Sequence, residues 1–198
     1  STTSELTRFF DELSENEVDF ERLYMWREQL EVLPELNRQL KQAIDDDGYV
    51  TDEASPALKA IRQNIRRSEQ TIREELDSII RGKNARYLSD ALVTMRNERY
   101  VIPVKQEYKN VFGGVVHDQS ASGQTLFIEP KQILEMNNRL RQQQIAERNE
   151  ITRILAELSA ELVPYRREIT HNAYVIGKLD FINAKARLGK ELKAVVPE

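Results

Sequence analysis

Apolar residues recur at helical spacing through most of this 198-residue chain, and the pattern breaks once, in the middle. Leu6, Phe9, Phe10 and Leu13 predict an amphipathic helix over 4–15. Phe20, Leu23, Tyr24, Trp26, Leu30 and Leu33 predict a second over 17–33. Aromatic residues at this spacing read as core packing. Pro34 starts a third helix, because its missing N–H costs nothing in a first turn. That helix ends at "DDDGYV", where Gly48 supplies a permissive backbone. Ser55-Pro56 then combines a cap with proline at the first helical position. From there Leu58, Ile61, Ile65, Ser68, Ile72, Leu76 and Ile79 follow near-heptad steps, predicting a helix to Gly82, roughly 40 Å long at ~1.5 Å per residue.

The helical pattern resumes at Pro130 or Lys131. Ile133, Leu140, Ile151, Leu155, Leu158 and Leu162 form a stripe that Asn137, Gln144 and Glu147 interrupt. A polar residue inside a seam sets register at some cost in stability. Pro164 kinks or ends this helix, and 165–193 continue helically with Ile169, Ala173, Ile176, Leu179 and Ile182 on one face.

Between the long helices the period changes. Ala91 to Lys105 reads as strand, polar break at Arg96-Asn97-Glu98, and strand. Pro103 removes a ladder donor, which predicts an edge or a bulged strand. "QEYKNVFGG" connects, with room for a turn of helix. Strands follow at 114–119 and 124–129 around a turn at 120–123, where Gly123 suits a left-handed position. The predicted fold is mostly α. Helical arms over 56–82 and 131–163 run antiparallel, with a small β-rich tip over 83–130 inserted between them. So small a sheet depends on helix ends packing beneath it. A tip held away from a body serves to reach or grip something bulky.

Charge sharpens this picture. Residues 1–55 carry 5 basic and 15 acidic side chains, whereas 56–110 carry 12 and 7. A local basic excess matters more to an anionic partner than the net charge of -4. No apolar run approaches the ~18 residues of a membrane span, so no membrane partner is expected. Cys is absent, which rules out disulfides and thiolate metal sites and permits a cytoplasmic setting.

Catalytic patterns fail one by one. Gly82-Lys83 lacks the upstream glycine and following hydroxyl of a phosphate loop. GxSxG and HExxH are absent. An EF-hand aligned on Gly48 puts Ala43 and Ala54 where carboxylates are needed, so the triple acid is a solvated turn and no metal site is expected. His117 and Asp118 are strand neighbours pointing to opposite faces, unsuited to a base–orienter pair. His117 reads as a polar hairpin residue and His171 as a lone histidine on a helix. Glu129-Pro130 marks the strand-to-helix junction, where a carboxylate suits the helix dipole. Neither catalytic residues nor a cofactor are expected in this chain.

The stronger signal is cations among aromatics. Lys83, Arg86, Arg96, Arg99, Lys105 and Lys109 interleave with Tyr87, Tyr100, Tyr108 and Phe112, diluted by Asp90, Glu98 and Glu107. Cations contact phosphates while aromatic faces stack on bases. The candidate nucleic-acid-binding set is Lys83, Arg86, Arg96, Arg99, Tyr100, Lys105 and Lys109. Arg96, Arg99, Lys105 and Lys109 are expected as exposed heads whose loss costs little stability.

Three stretches carry a family resemblance: "DDDGYVTDEASPALKAIRQNIR", "RNERYVIPVKQEYKNVFGGVVHDQSASGQTLFIEP" and "LDFINAKARLG". They resemble the bacterial MutS-two family, paralogues of mismatch-repair MutS proteins, and span most of the chain from Ile44 to Gly189. The resemblance implies that 56–82 and 131–163 are lever helices. It implies that 83–130 is the clamp, and that 1–55 and 164–198 belong to the core. It further implies a longer parent protein with an ABC-type ATPase, which uses ATP and Mg and drives homodimerisation, and a C-terminal Smr nuclease domain. This chain would be the core-and-clamp piece without either. The family is associated with branched DNA, suppression of recombination and rescue of collided ribosomes, so DNA or ribosomal RNA is the expected partner. A structural reading competes: arms that mediate protein association, closed by a tip that touches no nucleic acid.

Overall fold

The structure is a computed structural model and describes residues 2–15 and 21–193. Its helices are α1 (Thr2–Glu15), α2 (Glu21–Arg27), α3 (Pro34–Ala43), α4 (Pro56–Arg81), α5 (Lys109–Phe112), α6 (Leu134–Leu162) and α7 (Arg166–Glu191). The strands are β1 (Thr94–Arg96), β2 (Arg99–Lys105), β3 (Val115–Gln119) and β4 (Thr125–Glu129). The chain is mostly helical, with one small antiparallel sheet between long helices. Two compact units divide it: residues 1–51 with 155–198, and residues 52–154. The division falls within α6.

In the first unit, Phe10 is buried and packs edge-on against Tyr24 at 6.3 Å between ring centroids. The expected helix over 17–33 is shorter: α2 stops at Arg27, and Phe20 with 17–19 lies outside the described residues. Beyond α2 an α7 side chain takes both backbone polar groups of Glu31. Glu31 N donates to Asn172 Oδ1 at 2.9 Å, and Asn172 Nδ2 donates to Glu31 O at 2.7 Å. At the acidic turn Asp45 Oδ1 accepts from the N–H of Asp47 and of Tyr49 while Gly48 sits at φ 86°. This is a carboxylate-capped turn.

The second unit is built on α4. Ser55 caps it: its Oγ accepts from Leu58 N at 2.9 Å. Leu58, Ile65, Ile72, Leu76 and Ile80 are buried, with Ile61 and Ile79 packed beside them. Helix α6 returns antiparallel. Ser55 pairs with Glu150, Arg62 with Glu147 and Ser68 with Gln143, so one sequence ascends as the other descends. These links are polar, which explains the interrupted apolar stripe: Glu147 lies on a hydrogen-bonded flank beside the seam. Ile154, absent from the expected stripe, is buried, and Leu155, expected there, is exposed. Helix α6 ends at Leu162, and a single 3-10 turn over Val163–Tyr165 holds Pro164 before α7 begins.

The sheet order is β1-β2-β4-β3. Asn97 and Glu98 close the first hairpin at φ 50° and 60°, both left-handed, as a two-residue I′ turn requires. Strand β2 is central rather than an edge, yet Pro103 fits. Its carbonyl accepts from Ser89 N at 2.9 Å, so the missing N–H faces the side where β1 has already ended. A bulge between Val116 and Asp118 interrupts β3. One core joins helices and sheet: Ile72, Leu76, Tyr100, Ile102, Ile128 and Leu140 belong to it.

Candidate nucleic-acid interface

The expected cations separate into two groups. Around the 3-10 turn at Ala85–Tyr87, the Arg86 guanidinium lies over the Tyr87 ring at 4.7 Å and donates to Tyr87 Oη at 2.6 Å. Tyr87 packs on Tyr108 with ring centroids 4.6 Å apart. Lys105 Nζ donates to Arg86 O at 3.0 Å, closing the cluster. Lys109 follows Tyr108 at the start of α5 and is exposed, as is Lys83 just past α4. None of Lys83, Arg86, Lys105 and Lys109 has an ion pair among the described residues. Lys83 also lines a shallow groove of about 200 Å³ with Asn84, Phe112 and Gln132.

The second group is committed to acids. Arg96 pairs with Asp118 at 3.1 Å and stacks over Phe127 at 4.0 Å. Arg99 donates to Glu129 Oε1 at 3.1 Å. Glu129 is only 2% exposed, and His117 Nε2 (2.6 Å) and Asn137 Nδ2 (2.8 Å) complete its shell. Arg99 is therefore not a free surface head. A buried carboxylate depends on it, and its loss costs stability. Tyr100 also leaves the set. At 3% exposure its ring belongs to the core, with Arg73 Nη2 3.4 Å from its hydroxyl, so no base can stack on it.

Sequence reasoning missed Glu129 and Asn137 as a polar hub. The dipole reading of Glu129 accounts for a carboxylate at a junction but not for its burial among three donors. Glu129 follows Ile128 directly and so points to the face of β4 opposite Leu126 and Ile128, and no local spacing signals its burial there. His117 and Asp118 do diverge as expected, one to Glu129 and the other to Arg96. Gly114 adds a close approach: a Cβ there would sit 1.9 Å from Glu129 O, at φ +87°.

Among the described residues no group of three or more His, Asp or Glu could hold a metal ion, and no helix is long and apolar enough to cross a membrane. No family model matches the chain. Over 98% of its length it is 57% identical to the endonuclease MutS2 of Ligilactobacillus salivarius. It is 54% identical to that of Levilactobacillus brevis over its whole length, and 50% identical to that of Listeria monocytogenes over 98%.

Over this span the chain belongs to the MutS2 family.

It spans about 25% of the length of the curated MutS2 relatives it matches. The family relation attaches to an antiparallel helical pair and a four-stranded tip. Of the expected cation set, Lys83, Arg86, Lys105 and Lys109 are those without an ion pair among the described residues.

Proposed function

We propose that this chain is the lever-and-clamp segment of a MutS2 protein and that its tip grips nucleic acid. The observation that carries this reading is the separation of tip cations. Among the described residues Lys83, Arg86, Lys105 and Lys109 have no carboxylate partner, although the chain has 33 acidic residues against 29 basic ones. Free cations on a surface bind phosphates, and such contacts are independent of base sequence. Tyr87 and Tyr108 hold Arg86 and Lys105 in one cluster. DNA, branched or duplex, and ribosomal RNA on collided ribosomes both present this chemistry. In the longer protein the segment would serve a dimeric ATPase and nuclease, using ATP and Mg, in suppressing recombination or rescuing stalled ribosomes. Binding by the tip would pass through the arms to that machinery.

Replacing Lys83, Arg86, Lys105 and Lys109 together with Gln tests the reading. Affinity for a DNA duplex and for a ribosomal RNA fragment is measured across a salt series. Each lost phosphate contact lowers the slope of log affinity against log salt by about 0.9 on duplex DNA or ~0.7 on single strands. A parent chain that binds neither nucleic acid, or a variant with unchanged slope, removes the proposal.

One observation favours the structural reading instead. On α7, Tyr174 (56%), Phe181 (60%) and Leu188 (55%) are exposed. Large apolar side chains open on one helix are what a protein–protein contact uses. Concentration-dependent association of the chain without nucleic-acid binding would support it.

A further inference from the structure

The arm pair carries a second set of open cations away from the tip. Between α4 and α6 lies a groove of about 360 Å³, lined by Asn64, Arg67, Ser68, Thr71, Arg139 and Gln143, with Met136 as its apolar floor. No carboxylate lines it. Arg62, Arg66 and Arg141 on the same helices are engaged by carboxylates. Arg62 lies between Asp52 at 2.8 Å and Glu147 at 2.7 Å, Arg66 reaches Asp52 at 3.2 Å, and Arg141 pairs with Glu98. Arg67 and Arg139 have no ion pair among the described residues. Two guanidiniums flanking one groove repel each other, and an anion between them relieves that repulsion.

The donors left to the groove are Asn64, Arg67, Arg139 and the Gln143 amide, because both hydroxyl protons are spent within the protein. Ser68 Oγ donates to Gln143 Oε1 at 2.9 Å. That bond occupies the amide oxygen of Gln143 and leaves its NH2 group to face a ligand. Thr71 Oγ1 spends its proton on Arg67 O at 3.0 Å, which fixes the turn carrying Arg67. Asn64, Arg67 and Thr71 share one face of α4 at steps of three and four, and Arg139 and Gln143 share one face of α6 at a step of four. The α4 donors Asn64 and Arg67 are roughly 4.5 Å apart along their helix, and Arg139 and Gln143 roughly 6 Å apart along α6, at ~1.5 Å per residue. A site for a free phosphate would surround one point, whereas this is an open strip.

We infer that the groove between α4 and α6 is a second nucleic-acid contact, in which Arg67 and Arg139 hold phosphodiester groups of the backbone. The inference rests on the reading that the chain binds nucleic acid, and adds the arm to the tip. Contact at both places would let one nucleic-acid segment lie along the arm while the tip holds it. Recognition would be independent of base sequence, because only phosphates are touched.

The test uses the 198-residue chain, a DNA duplex of about thirty base pairs as probe, and three variants: Arg67→Gln with Arg139→Gln, Arg67→Lys with Arg139→Lys, and the tip Gln variant. The Gln pair should melt like the parent and lose about 1.8 from the salt slope, two contacts at about 0.9 each. Between 50 and 200 mM salt its affinity should therefore fall roughly tenfold less than that of the parent. The Lys pair should keep most of the slope, since charge is retained. In a parallel NMR titration the Gln143 side-chain amide signals should shift with duplex and not with millimolar inorganic phosphate. If the tip variant loses slope while the Gln pair keeps that of the parent, the groove is not a contact and the tip reading stands. If the parent binds neither the duplex nor the ribosomal RNA fragment, both readings fall; if it binds only the RNA, the same slopes are read on the RNA, and a Gln pair that keeps the parent's slope there overturns the groove contact. If phosphate alone shifts Gln143 and duplex does not, the groove takes a small anion and the backbone assignment is overturned.

Discussion

Asn137 on α6 satisfies both backbone polar groups of Tyr100 with one side-chain amide. Tyr100 N donates to Asn137 Oδ1 at 3.3 Å, and Asn137 Nδ2 donates to Tyr100 O at 3.1 Å. The β2–β4 ladder pairs Ile102 with Ile128, so the same register would bring Tyr100 opposite Pro130, which has no N–H to give. Asn137 substitutes for the missing strand. Asn172 makes the same two-bond contact with the backbone of Glu31 in the other unit. Asn137→Ala should lower stability by about 2–4 kcal/mol, because each buried unpaired group costs ~1–3 kcal/mol. Urea denaturation followed by circular dichroism reads this directly; a change under about 0.5 kcal/mol would show that water takes over the role.

Gly114→Ala should disrupt the tip. The added carbon would overlap Glu129 O at 1.9 Å, and φ +87° is unfavourable for any side chain. Far-UV circular dichroism should retain the helices, while amide exchange in β3 and β4 should lose protection. An unperturbed exchange pattern would contradict the close approach.

Arg99 and Lys83 should differ sharply although both carry one charge. Arg99→Gln leaves the buried Glu129 carboxylate short of a cation. Breaking a buried pair costs ~3–5 kcal/mol, and partial exposure of Arg99 reduces that to about 2 kcal/mol. Lys83→Gln should stay within about ±0.5 kcal/mol. Equal melting temperatures for the two variants would mean that His117 and Asn137 suffice to hold Glu129.

Acid should weaken the arm pair through Glu150. Hydrogen bonds from Arg153 and then Ser55 hold its carboxyl down at about 2, below the ordinary 4.5. A depressed carboxylate contributes stability that is present above the unfolded value and is lost as pH falls through the folded one. Stability should therefore decline between pH 4.5 and about 2. Asp52 acts in the same direction, lowered by Arg62 and then Arg66. Glu150→Gln should flatten part of the decline in thermal melts recorded against pH. An identical profile in the variant would assign the decline to other carboxylates.

The helical arms were legible because their signals are local. Ser55-Pro56 starts α4 and Gly82 follows its last residue, as capping chemistry requires. The change of period after residue 90 marked the sheet, and Gly123 marked its second turn at φ +72°. Pro103 was legible as a lost donor. Its place in a central strand was not, since that depends on how far β1 extends beside it.

The candidate site was legible as composition and not as geometry. Six cations near four aromatics can be counted along the chain, but only folding assigns each one a partner. Arg99 and Lys105 stand six residues apart at the two ends of β2, yet one meets a buried carboxylate and the other a backbone carbonyl. By itself the sequence determined the helical period, the caps, the turns and the kinship with MutS2, because these depend on neighbours in the chain. Tertiary structure alone decided that Tyr100 is core, that Glu129 is a hub and that Arg67 and Arg139 share a groove. Those facts depend on residues 30 to 72 positions apart meeting in space, and no local spacing encodes such a meeting.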